Sequence, residues 1–112
     1  MKILNAFSLQ MIWAQAVADG VLKVEVYPLS AEEAAGEMAS RNIESCIGHA
    51  STAAIVSELL GVEVPVNRCD VRLARGESAL VAQYLGPRLP EGATSLPEGA
   101  TIGFAIVHVA AR

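Results

Sequence analysis

The chain has 112 residues, a formal net charge of −4 and a pI near 5.0, so it holds one domain over residues 1–112 and lacks the positive field that binding long DNA or RNA requires. Apolar residues make up 53% of it, charged residues 18%, and its mean hydropathy is +0.41. That is more apolar surface than a monomer of this size readily buries, which points to a homodimer interface.

Lys2 to Asn5 reads as a short apolar strand, and Ser8 as the N-cap of a brief helix through Leu9, Met11, Ile12 and Ala16 that Gly20 stops. The uncharged stretch from Ile3 to Ala18, with small residues such as Ala14 and Ala16, also has features of a signal peptide. Asn5, Ser8 and Gln10 interrupt it, however, and it is too short and polar to span a membrane, so the reading is a cytoplasmic chain with no membrane partner. If the chain is viral, the compartment is the host cell cytoplasm. Cys46 and Cys69 have no metal-ligand spacing and read as a reduced pair.

Val21 to Tyr27 alternates, with Leu22, Val24 and Val26 against Lys23 and Glu25, which predicts a strand with one wet face ending before Pro28. Ser30 and Glu33 form a capping box for a helix to Arg41. Ile43 to Ile47 is a buried strand candidate, and Gly48-His49-Ala50-Ser51-Thr52 leads into a helix over 53–60 that Gly61 ends. Asp70 to Ala74 and Ser78 to Leu85 are expected to pair as a hairpin across Arg75-Gly76-Glu77, and Ile102 to Val109 to close the sheet. Between them stands a tandem repeat, Leu89-Pro-Glu-Gly-Ala-Thr94 and Leu96-Pro-Glu-Gly-Ala-Thr101, too short for solenoid units and read as successive turns or helix starts. The order of elements predicts an α+β domain with a mixed sheet of about five strands flanked by helices.

A strand that hands over to a helix at Gly48–Thr52 gathers unpaired backbone N–H groups and the positive end of the helix dipole, a place that suits phosphate. Ser51 or Thr52 is expected as the N-cap, and His49, taken alone, reads as a surface or capping residue. Arg88 and Glu91 follow a strand end: an arginine can grip phosphate in parallel hydrogen bonds, while the plain alternative is a surface ion pair beside a turn. Glu98 occupies the same local context as Glu91, and composition does not choose between them. His108 alternates with Ile102, Phe104 and Ile106 and reads as a hydrogen-bonded sheet residue. There is no Walker-type loop, no His-x-x-x-His pair and no acidic cluster, so no metal or cofactor is expected, and Phe7, Trp13, Tyr27, Tyr84 and Phe104 make no stacking platform.

Five spaced motifs run in order along the chain: Asn5-Ala6-Phe7-Ser8, Ile47-Gly48-His49-x-Ser51-Thr52, Asn67-Arg68, Gly76-Glu77-x-Ala79-Leu80 and Arg88-Leu89-x-Glu91-Gly92. Together they resemble the ring nucleases of archaeal and bacterial viruses, with CRISPR-associated relatives, that act against type III CRISPR signalling. The resemblance implies a homodimer whose subunits form a pocket for cyclic tetraadenylate. It also implies cleavage without a metal to linear diadenylates with 2′,3′-cyclic phosphate ends. Carried over, the essential histidine falls on His49, the arginine and glutamate on Arg88 and Glu91, and substrate contacts on Asn5, Ser8, Gly48, Ser51, Thr52 and Arg88. Glu91 would keep His49 in its charged form, since a nearby carboxylate favours imidazolium. Pro87, where the pattern has a polar residue, and the second repeat copy are departures. The alternative from another class is a protein that sequesters a cyclic nucleotide without cutting it, and a third reading is a structural protein with no nucleotide site.

Overall fold

The structure, a computed structural model, describes residues 1–111. The chain begins with β1 (Lys2–Leu4), a single 3-10 turn (Leu9–Met11) and α1 (Trp13–Asp19). It continues through β2 (Val24–Leu29), α2 (Ala31–Ser40), β3 (Glu44–Cys46) and α3 (Ala50–Leu60), and ends with β4 (Ser78–Leu85) and β5 (Thr101–Val109). One five-stranded sheet results, in the order β2-β5-β4-β1-β3. β1 runs parallel to both β3 and β4, while β5 is antiparallel to β4 and β2. The chain is therefore a single α+β domain with a mixed sheet.

Local signals account for most element ends. The Ser30 side chain accepts from the Glu33 N–H at 3.0 Å and the Glu33 carboxylate accepts from the Ser30 N–H at 2.9 Å, closing the capping box of α2. α3 stops at Gly61, whose φ of 68° lies in the left-handed region that a side chain disfavours. The period-2 alternation then divides the core between the two faces of the sheet. Ile3, Leu80, Ala82, Ile102 and Phe104 pack with Ala34 of α2 and with Ala53, Ile55, Val56 and Leu60 of α3. On the opposite face Leu4, Ala79, Val81, Val107 and Val109 pack with Ile12, Val71 and Leu73.

Several expectations need correction. Residues 70–74 form no strand and no hairpin, because β4 already has β5 on one edge and β1 on the other. Val71 and Leu73 instead insert as side chains, and the Leu73 N–H donates to the Met11 carbonyl at 2.8 Å. β2 extends through Pro28 to Leu29, which an edge strand tolerates. It does not have one dry face: Val26 is 60% and Tyr27 49% exposed. The exposed Tyr27 phenol is pushed above its ordinary pKa by repulsion from the Glu25 carboxylate. In the N-terminal stretch Ile3 and Leu4 are buried in a strand flanked by β3 and β4. Cys46 and Cys69 are not a reduced pair but a disulfide, with Cα atoms 5.3 Å apart. Among the described residues no helix is long and apolar enough to cross a membrane.

Candidate functional site

Three parallel strands, β3, β1 and β4, end on the same side of the sheet, and the carboxyl ends of such strands are where open α/β sheets place ligands. A cavity of about 750 Å³ opens there. The segment just after β1 supplies Asn5 and Ala6, the β3–α3 junction supplies His49 and Thr52, and the end of β4 with its following loop supplies Gln83, Tyr84, Gly86 and Arg88 to Glu91. A second cavity, of about 270 Å³, adjoins it through Asn5, Ala6 and His49 and is also lined by Gly48, Arg68, Cys46 and Cys69.

His49 stands at the N-cap of α3 with extended backbone, and its Nδ1 accepts from the Thr52 N–H at 3.3 Å. That replaces the expected Ser51 or Thr52 cap: both lie inside the first turn and are buried. The Thr52 hydroxyl is also 3.3 Å from Nδ1, so the same side chain can accept should Nδ1 carry a proton. With Nδ1 committed to Thr52, Nε2 is the ring nitrogen left to meet a ligand. Asn5 holds the preceding residue, its Oδ1 accepting from the Gly48 N–H at 3.3 Å.

The Arg88 loop is shaped by a close approach. A Cβ on Gly86 would come within 2.8 Å of the Ala100 Cβ, so only glycine lets the two ends of the loop touch. The Tyr84 hydroxyl donates to the Pro87 carbonyl, bracing the residue before Arg88. The repeat folds twice into the same turn, with Ala93 N–H on Pro90 and Ala100 N–H on Pro97, both at 3.1 Å, and positive φ at Gly92 and Gly99. Leu89 and Leu96 pack in parallel against the core. The copies nonetheless differ in place: Glu91 lines the large cavity and Glu98 does not.

The structure thus brings Asn5, His49, Thr52, Arg88 and Glu91 to one cavity and Gly48 to its neighbour. Ser51 is buried within α3, and Ser8, exposed at the start of the 3-10 turn, lines neither cavity of this protomer. The expected surface ion pair of Arg88 with Glu91 is absent: among the described residues Arg41, Arg72 and Arg75 pair with Glu37, Asp70 and Asp19, while Arg68 and Arg88 pair with no carboxylate. In an acidic chain, the arginines without carboxylates are the ones on either side of His49. His108 is a sheet residue as expected, its Nδ1 2.6 Å from the Ser78 hydroxyl. No group of three His, Cys, Asp or Glu side chains able to hold a metal gathers among the described residues.

Gln83, Tyr84 and Arg68 were not singled out as site residues by composition or spacing. Gln83 and Tyr84 were legible as the last turn of a strand before a Gly-Pro break, and Arg68 as part of the Asn67-Arg68 motif.

Similar sequences and a similar fold occur among known viral proteins. The model of the STIV B116-like family matches residues 1–106. The uncharacterised protein ORF117 of Acidianus two-tailed virus is 38% identical over 91 residues, covering 78% of this chain and 77% of that protein. The solved structure of B116 of Sulfolobus turreted icosahedral virus superimposes with a TM-score of 0.74 at 25% identity, over 96% of this chain and 97% of that one.

Proposed function

The chain belongs to the STIV B116-like family, whose matched members come from archaeal viruses, and we propose that it is a metal-independent ring nuclease for cyclic tetraadenylate that switches off type III CRISPR signalling. The observation that carries this reading is the cavity at the strand ends that holds His49, Arg88 and Glu91 together, with both arginines around it free of carboxylate partners.

The substrate supplies its own nucleophile. A ribose 2′-hydroxyl attacks the adjacent phosphorus, the bond to the 5′-oxygen breaks, and the 2′-hydroxyl proton passes to water. The protein holds the attack in line, stabilises charge on the phosphoryl oxygens and protonates the leaving oxygen. Nε2 of His49 is the general acid. Arg88 is the phosphate clamp, with the first-turn N–H groups of α3 beside it. Glu91 lines the same cavity as His49 and Arg88. One cut by each subunit of a two-fold dimer yields two linear diadenylates with 2′,3′-cyclic phosphate ends.

The test is incubation of the pure protein with cyclic tetra- and hexaadenylate in EDTA, with products separated by chromatography. Linear diadenylate from the wild type and none from His49→Ala is the expected result. Tight binding without products from the wild type would favour sequestration, and loss of cleavage in EDTA with recovery in Mg²⁺ or Mn²⁺ would overturn the mechanism.

A further inference from the structure

β3, the strand that delivers Gly48 and His49, has only three residues and lies at the edge of the sheet, hydrogen-bonded to β1 alone. A strand so short and one-sided does little to hold its own end. On the open side the chain between α3 and β4, which has no helix or strand from residue 63 to residue 74, folds back as a strap. The Ser45 hydroxyl donates to the Pro65 carbonyl at 2.6 Å, the Asn67 N–H to the Ile47 carbonyl at 2.8 Å, and the Asn67 side-chain amide to the Ser45 carbonyl at 2.8 Å. The Cys46–Cys69 bond closes it. Between these ties sits Arg68 beside the turn that carries His49: its Cβ and Nε would each lie 3.4 Å from a Cβ built on Gly48.

We propose that the Cys46–Cys69 bridge is a positioning device for the site: it clamps the strap to β3 so that Arg68 and the Gly48–His49 corner keep the geometry an anion needs, and reduction slackens both. The bridge is reachable, because both cysteines line the cavity of about 270 Å³ that also holds His49 and Arg68. A dithiol reductant delivers two electrons and two protons to it, leaving two thiols and becoming a cyclic disulfide itself. Between the outer ties of Val64 to Ser57 and Leu73 to Met11, three hydrogen bonds then join the strap to the β3 end, on a stretch with no ladder of its own, and local opening there becomes the cheaper fluctuation.

The turnover part of this inference rests on the ring-nuclease reading; the slackening of the corner does not. The experiment treats the native protein with dithiothreitol, counts released thiols, and measures hydrogen exchange at Gly48 and Asn67 together with the Kd, KM and kcat for cyclic tetraadenylate. Exchange at those amides rises while that of Leu80 and Val107 stays slow. If the corner is formed about one-tenth of the time after reduction, apparent affinity falls about tenfold, with kcat much less affected, and reoxidation restores it. A Cys46→Ala/Cys69→Ala variant behaves as the reduced protein and ignores the reductant. Two thiols released with no change in exchange or affinity overturns the proposal, as does finding the thiols free before reduction. An oxidised protein that neither binds nor cuts the ring, with the exchange effect intact, overturns the function and leaves the clamp.

Discussion

His49 carries two duties that one substitution cannot separate and two can. In the neutral ring its Nδ1 caps α3 by accepting from the Thr52 N–H; in the charged ring that the proposed acid requires, Nδ1 becomes a donor with the Thr52 hydroxyl within reach, and Nε2 delivers the proton. His49→Ala removes both: loss of a side-chain cap costs about 1 kcal/mol of stability, which lowers Tm by about 4–8 °C in a domain near this size. Loss of a general acid slows the chemical step by about 100-fold or more, or roughly 2.7 kcal/mol of barrier. His49→Asn keeps an oxygen that caps as well as any side chain does and offers no acid. The expected outcome is therefore a melting point near the wild-type value for Asn and a lower one for Ala, with both variants equally poor at cutting cyclic tetraadenylate in single-turnover assays. Wild-type turnover in His49→Asn would refute acid catalysis and reduce His49 to a cap. A Tm unchanged in His49→Ala would refute the cap.

Arg88→Ala should weaken binding or turnover, whereas Glu98→Ala in the second repeat copy should leave both near wild type, because Glu91 and not Glu98 lines the cavity; the reverse ranking would shift the site by one repeat. The protein should be a dimer by light scattering at micromolar concentration, because Leu9, Trp13 and Val17, spaced four residues apart along the first helical segment, are each more than 60% exposed. A monomer at that concentration would count against both the interface and the shared pocket.

What could be read along the chain was what is decided within a few residues. The Ser30–Glu33 box, the stops at Gly20 and Gly61, and the two equivalent turns of the repeat all follow from local backbone chemistry, and each is where it was expected. The false strand at 70–74 had the right alternation, but alternation says which side chains are buried and not whether a neighbouring strand has a free edge. Val71 and Leu73 are buried as the pattern required, in a segment that found both edges of β4 taken. The disulfide escaped for a similar reason, since its cysteines stand 23 positions apart in the sequence and only the return of the strap to β3 brings them together. The motifs around His49 and Arg88 were visible one at a time. Their meeting was not, because it depends on β4 lying next to β1 while its own predecessor, α3, starts from β3 on the other side.

A net charge of −4 weighs differently on short and long anions. Two unit charges 4 Å apart interact by about 4 kcal/mol at an effective dielectric near 20, while charges farther apart than about 8 Å are largely screened at physiological salt. A phosphate in the cavity therefore feels Arg88, and beyond His49 Arg68, far more than it feels the acidic surplus spread over the surface. A long duplex would run past these arginines onto that surplus and gain nothing from further cations. A compact ring would keep its phosphates within reach of the same arginines repeated by a two-fold partner. On the proposed function, the acidic pI would favour a small cyclic anion over polymeric nucleic acid, and would do so only while both arginines stay unpaired. For that proposed chemistry the loop corner at Gly86 and the strap at Cys69 would matter as much as the histidine between them, because they hold the two arginines in place.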